Sequence, residues 1–468
     1  MVSEKQFRTG AWYGDQSFTL SFPSQWDVTV YWPQTPAPLT DDQIVEALER
    51  PVGQPPIRLL CQGRSRPLVV VDDLTRPTPA ARVMPFLLRH FRDAGIAPES
   101  VRILVATGTH GAPPLDALRK KTGPELANQL LVHDPNRNVV TIGKTSFGTP
   151  VTVNKEVAAS DFVVGIGGIY PNHTAGFGGG SKLALGTLGM GSIVHLHYGH
   201  KSVGWASCGA DSCFRKDLDE IARMIRLNTV ISLHVNVDRE PVRISCGNHL
   251  LFHKDAVAFA RQTFAAPMPG DADVVISNAY PIDLSLTFVR LKGTTPLRHC
   301  GPGISRIAIG SCSEGLGRHA LFPFGRKPRF HRQRSMARRI SVMSPREVAE
   351  KAALRFGRAL RFSSHGNGRR GDTSKFGPTS YPIWLYRPGN QPVPLPSQIG
   401  EIRITALWSE ILHAIRSEQG DKERVTVLVY PCAPLQCLER SAKADTDLSR
   451  QHQTKDADCE PDHALDVE

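Results

Sequence analysis

Apolar residues fall along this chain in short runs set between polar turns, and the spacing within the runs alternates between strand-like and helix-like. RPLVVVDDL (66–74) is a β-branched run of strand length that ends in two acids, which predicts a buried strand. TRPTP follows as a turn, and RVMPFLLRHFRD (82–93) reads as a helix with Pro85 near its start. VRILVAT (101–107) is the next strand, GTHGAPP leaves it as a loop, and PLDALRKKTG is a short helix stopped by Gly123. DFVVGIGGI (161–169) is a third buried strand that runs straight into a glycine-rich loop. The alternation resumes after about residue 221. DADVVISNAYP (271–281) and SRIAIGSCSEG (305–315) each read as strand then loop. SPREVAEKAALRFGRAL (344–360) reads as a helix capped by Ser344, and VTVLVYPC (425–432) as a last strand.

Strand–helix alternation predicts an α/β protein with mainly parallel sheets. We expect two α/β domains, over 1–220 and 221–440, with the active site in the cleft between them. The polar, aperiodic residues 441–468 are expected to form a disordered tail. Ligands of such sheets bind beyond the carboxyl ends of the strands. Asp73, His110 and His173 all follow predicted strand ends, so the topology brings three polar candidates towards one rim.

Composition narrows the classes. No run of about 18 apolar residues occurs, so no spanning helix is expected, and the N-terminus lacks an apolar signal core. A cytoplasmic protein is the expectation. The nine cysteines are scattered without a CxxC pair, which argues against a disulfide scaffold and against a four-cysteine zinc site. The net charge of +12 sits entirely in residues 324–375, which carry 15 Lys and Arg against three acids. One local basic segment is therefore present rather than a globally basic nucleic-acid binder, and we expect it to be solvated surface around the helix at 344–360.

Three motifs carry candidate chemistry. YPNHTAGFGGGSKLALGTLG (170–189) encloses His173 and Lys182 in glycines, and such a loop allows close backbone approach. It matches neither the phosphate loop, because Lys182 follows Ser181, nor the dinucleotide fingerprint, because Tyr170 stands where its last glycine belongs. HLHYGH offers His195, His197 and His200; on a strand the first two share a face, on a helix the last two do. Imidazole at this density suits zinc, copper, iron or nickel. DDLTRPTP holds Asp73, Thr75 and Arg76 at a strand end, where an acid and an Arg can anchor a carboxylate or a ribose, or simply close a surface turn.

Together DDLTRPTP, ATGTHGAPP, GGIYPNHTAGFGGGSK and the histidine-bearing stretch resemble the lactate racemase family, strongly over about residues 60–205. The resemblance is weaker through NAYPIDLSLTFVRLKG (278–293) and CSEGLG (312–317). It implies a racemase or epimerase of a 2-hydroxy acid that moves hydride to and from a nickel-pincer nucleotide, with cofactor-biosynthesis enzymes as loading partners. By the same resemblance His110 and His173 are the acid–base pair, and Asp73, Thr75, Gly178, Gly179, Gly180 and Lys182 surround the cofactor. Lys182 is the residue that tethers the pincer arm, His197 the nickel ligand, and Arg76 and Lys292 hold the substrate carboxylate. Where the lactate enzyme has Tyr-Gln ahead of the substrate lysine, this chain has Phe288-Val289, which implies a more apolar pocket and a substrate other than lactate. Two other classes are carried beside this one. One is a zinc-dependent hydrolase built on His195, His197 and His200. The other is a non-enzymatic cofactor-binding or sensor protein that uses the basic segment on an acidic partner.

Overall fold

The run PLVVVD forms strand Pro67–Asp72, buried along its whole length, as a strand covered on both faces must be. It is the pivot of a six-stranded sheet. In spatial order the strands are Pro241–Gly247, Leu227–Val235, Phe162–Gly168, Pro67–Asp72, Arg102–Ala106 and Leu130–Val132. All neighbours run parallel except the first pair. From Pro67–Asp72 the chain first builds outward on one side, then returns to add Phe162–Gly168 on the other. The strand order reverses between these two strands, and a crevice opens at their carboxyl ends. This computed structural model describes residues 2–124, 129–206, 212–321, 381–420, 422 and 424–439. The basic segment 324–375 with its expected helix, and the tail 441–468, lie outside the described residues.

The second sheet has seven strands: Gln398–Ile399, Ile402–Thr405, Ile383–Tyr386, Ser305–Ile309, Val274–Asn278, Val425–Tyr430 and Trp26–Val30. It too is parallel apart from one terminal pair. The two sheets do not part at residue 220. Strands 227–235 and 241–247 complete the first sheet, and strand 26–30 closes the edge of the second. An N-terminal antiparallel pair, Val2–Thr9 with Gln16–Pro23, turns Phe7, Leu20 and Phe22 into the core of the second sheet.

Helices cover the first sheet as the sequence spacing implies. Met84–Asp93 buries Met84, Leu87, Leu88 and Phe91 along one stripe, with Pro85 in its first turn. Leu115–Thr122 ends at Gly123, which takes a positive φ. That helix also carries Lys121, whose ammonium is fully buried. It pairs with Asp72 at 2.7 Å and donates to the carbonyls of Arg76 (2.9 Å) and Thr78 (3.0 Å), over the ring of Trp12. Asp72 in turn accepts from Thr78 and from the amide of Gly168. One buried ion pair thus fastens the turn after Pro67–Asp72 to its own helix and to the neighbouring strand.

Removing one partner of such a pair leaves a buried charge unmatched. Lys121→Met should lower stability by about 3–5 kcal/mol, read as an earlier urea midpoint. Asp72→Asn/Lys121→Met together should recover part of that loss.

Candidate active site

Three loops leave the carboxyl ends of Pro67–Asp72, Arg102–Ala106 and Phe162–Gly168 and meet at the crevice. Their residues line a cavity with Phe288, Leu291, Lys292 and His319 from the second half of the chain. Asp73, Arg76, His110, His173, Gly178, Gly179, Lys182, His197 and Lys292 all stand on its wall. Thr75 and Gly180 do not: Thr75 is turned to Asp73 and Arg76, and Gly180 backs onto His249 and His253.

Asp73 is almost wholly buried, and both its oxygens are engaged within the protein. Oδ2 lies 2.6 Å from His110 Nδ1, and Oδ1 accepts from the hydroxyl and amide of Thr75. Asp73 is thereby placed to orient His110. Burial pushes the carboxyl up, but His110, and then Arg76 and Thr75, outweigh it and hold it below the usual carboxylate range. An ionised Asp73 accepts a hydrogen bond from Nδ1–H, so Nε2 is the accepting nitrogen of His110.

His173 is carried by a small hairpin in which Pro171–Asn172 pairs with Gly176–Phe177. Asn172 closes the turn by accepting from the amides of Thr174 and Ala175. The imidazole Nε2–H donates to the Leu291 carbonyl (3.0 Å), and the ring lies against Trp205. This fixes the opposite tautomer to that of His110, with Nδ1 as the accepting nitrogen. Leu291 belongs to a turn of π-helix, Val289–Gly293, closed by the Thr294 amide on the Val289 carbonyl. Lys292 is on the same turn. Its Nζ is buried and makes no hydrogen bond among the described residues. Burial and Arg76 push its pKa well down, against the pull of Asp73. Phe288 lies on the cavity wall, whereas Val289 packs into the core beside Ala279 and Gly310. Only one of the two expected apolar replacements therefore faces the site.

The glycine loop is shaped by what lies behind it. Gly179 and Gly180 take φ values of +74° and +57°, and a Cβ at Gly179 would come within 2.3 Å of Ile169. Three successive carbonyls are held from outside the loop. Arg215 donates to Phe177 (2.6 Å) and Gly179 (3.1 Å), and His253 to Gly178 (3.1 Å). Arg215 enters on helix Cys213–Met224, and His253 on helix His249–Thr263. Cys213 is disulfide-bonded, while Cys61, Cys246, Cys300, Cys312, Cys432 and Cys437 are free.

Lys182 and His197 both stand on the cavity wall. Burial, then Arg76 and Arg215, lower the Lys182 ammonium to about 7. Burial, then Lys182, lower His197 to about 4. His197 is on helix Met190–Gly199 and donates Nδ1–H to the Ile193 carbonyl (2.8 Å), which presents Nε2 as a lone-pair donor. Its neighbours in HLHYGH do not join it. His200 pairs with buried Asp217 (2.7 Å), and His195 reaches the same carboxylate through Thr149. Among the described residues no three His, Cys, Asp or Glu side chains gather as a metal site. The three-histidine zinc centre is thereby set aside.

Two residues of the site, one behind the glycine loop and one on the wall, escaped the motif reading. Arg215 lies 33 positions from Lys182 in sequence and meets the loop only in the fold. His319 lies two residues beyond CSEGLG, and its ring is 4.9 Å from that of His110. Its nearness to that motif was the available signal.

A lysine lowered to about 7 is a nucleophile at neutral pH. An amine-acylating reagent should label Lys182 with a rate that climbs through pH 7, as the neutral amine forms, while exposed lysines climb near pH 10. Peptide mass spectrometry across pH 5–11 reads both. A Lys182 profile like that of the exposed lysines would contradict this electrostatic picture.

Residues 13–206 match the lactate racemase N-terminal domain. A lactate racemase of Lactiplantibacillus plantarum is 27% identical over 297 residues, 61% of this chain and 69% of that protein. One of Thermoanaerobacterium thermosaccharolyticum is 27% identical over 295 residues, 60% and 68% respectively. The fold is similar to that of the lactate racemase apoprotein from the latter organism, with a TM-score of 0.62 at 20% identity over 93% of this chain and all of that one. It is also similar to a Thermotoga maritima protein, with a TM-score of 0.54 at 15% identity over 86% of this chain and all of the other. Among the described residues no helix is long and apolar enough to cross a membrane. Through residues 13–206, the chain is therefore similar to the N-terminal domain of lactate racemases.

Proposed function

We propose that this protein racemises or epimerises a 2-hydroxy acid other than lactate, by hydride transfer to and from a nickel-pincer nucleotide loaded by the enzymes that make it. The observation that carries the reading is the meeting, in one cavity, of two tautomer-fixed imidazoles with a lowered lysine, a lone metal-competent histidine and two cations.

The residues fit such a group. Among the described residues His197 is not part of a three-residue cluster of metal-binding side chains, so a metal held by it would take its other donors from its own ligand, as a pincer provides. Lys182 presents an amine able to form an amide-type link, and Gly178 and Gly179 leave the wall without side chains. The chemistry the cofactor supplies when bound is reversible acceptance of hydride from the α-carbon, which is otherwise a weak carbon acid beside a carboxylate. The protein manages position and protons. Arg76 and Lys292 hold the substrate carboxylate, the Arg fork in two hydrogen bonds. For one enantiomer His110 Nε2 takes the hydroxyl proton, and Asp73 stabilises the resulting imidazolium. For the other enantiomer His173 Nδ1 does so, steadied by the Leu291 carbonyl. The imidazole facing the oxygen of the planar ketone would return the proton there, and reduction at the opposite face of its carbon would complete the inversion. Phe288 supplies a wall suited to a substituent larger than methyl.

Protein co-expressed with the cofactor's biosynthetic enzymes should contain nickel and show an added mass on Lys182. Lys182→Ala should lose that mass, and His197→Ala the nickel. A protein that carries zinc alone would end the proposal. His110→Ala and His173→Ala should each slow inversion by about 10²–10⁴-fold. In deuterated water the substrate α-carbon should keep its hydrogen, since rapid wash-in would mean proton abstraction. In a panel of chiral 2-hydroxy acids, lactate should be inverted more slowly than at least one longer member.

A further inference from the structure

His319 is an imidazole in the cavity that this mechanism does not use. Its loop is pinned on both sides. On one side, the amides of Leu286 and Thr287 donate to the carbonyls of Gly315 and Leu316. Gly317 presses against Ser285 so closely that a Cβ there would lie 2.1 Å from Oγ. On the other side, the Ala320 amide donates to the Thr109 carbonyl (3.0 Å), next to His110. The loop is therefore fastened both to the turn that carries Phe288 and Lys292 and to the loop that carries His110. The ring itself lies 4.9 Å from His110 and 6.1 Å from Phe288.

A substrate α-carbon has four substituents, and three are assigned: carboxylate to Arg76 and Lys292, hydroxyl to an imidazole, hydrogen to the cofactor. The fourth meets what remains of the wall. From the second half of the chain that wall receives Phe288, Leu291, Lys292 and His319. With Lys292 taken by the carboxylate, His319 is the remaining one of the four with hydrogen-bonding atoms. Its ring stands beside those of His110 and Phe288. An imidazole offers a hydrogen-bond donor and an acceptor, which a side chain bearing oxygen can meet and an alkyl chain cannot.

We infer that His319 reads the side chain of the substrate, and that the substrates are 2-hydroxy acids whose side chain carries a hydroxyl or carboxylate oxygen, not plain alkyl or aryl groups. The inference rests on the reading of this cavity as a 2-hydroxy acid site. It also revises the apolar pocket that Phe288-Val289 implied, since Val289 is absent from the wall and His319 is present.

The test uses the cofactor-loaded enzyme and size-matched pairs: 2,3-dihydroxypropanoate with 2-hydroxybutanoate, and 2-hydroxysuccinate with 2-hydroxypentanoate. Inversion is followed by chiral chromatography and affinity by calorimetry. The polar member of each pair should be preferred by about 10-fold, the worth of one well-placed hydrogen bond. His319→Phe, which keeps a ring against His110 and Phe288, should bring that ratio close to one. His319→Gln, which keeps a donor and an acceptor, should hold it within about 3-fold of the parent, the usual scatter of one such bond. A parent enzyme without preference for the polar members overturns the inference. So does a His319→Phe variant that weakens both members equally, because His319 then acts on the fold or on His110 alone. If the loaded enzyme inverts no member of the panel, the racemase reading fails, and the calorimetric ratios of the same proteins decide the role of His319 separately.

Discussion

The pairing of Pro67–Asp72 with Phe162–Gly168 is the constraint from which the rest of the site follows. Both strands are buried along their whole length and run parallel, yet the chain leaves them in opposite directions. Two loops rich in polar groups and glycine leave their carboxyl ends and line one cavity there. Asp72 spans the gap by accepting from Gly168 while paired with Lys121. Asp73, the next residue, points its carboxylate at His110. Adjacent acids in one turn thus divide the work, one tying strands together and the other orienting an imidazole.

Most of the first sheet was legible because its strands are continuous β-branched runs between strong turn signals. Gly123 and Pro85 punctuate the helices where the spacing predicts. Strands 2–9, 16–23 and 26–30 were not read, since they alternate buried and exposed positions without a continuous apolar run. The expected boundary at 220 overlooked that strand 26–30 pairs with 425–430, almost 400 residues away, a contact no local pattern encodes. HLHYGH shows the same limit at the site. Its three imidazoles look equivalent in sequence, but helical geometry and Asp217 turn His195 and His200 to structural work and leave His197 at the cavity.

The tautomers were also beyond the sequence. The acid–base pair is named by motif resemblance alone, yet which nitrogen of each ring accepts a proton depends on Asp73 and on the Leu291 carbonyl. The second of these is a backbone group in a π turn that no residue pattern announced. Lys292 and the partner of His173 share that turn, so the position of that ammonium and the tautomer of that imidazole are mechanically linked.

The way the wall is divided has a consequence for how such an enzyme diversifies. Groups that would hold a cofactor and move protons are braced by buried ionic and guanidinium contacts, Lys121 with Asp72 and Arg215 with the glycine loop, which tolerate little change. Phe288 and His319 come from elsewhere in the chain, on a short helical turn and a loop that share few of those braces. Mutational drift can therefore sample new side-chain preferences at these two positions while the reaction chemistry stays fixed. A lineage built this way would be expected to share one chemistry across many substrates.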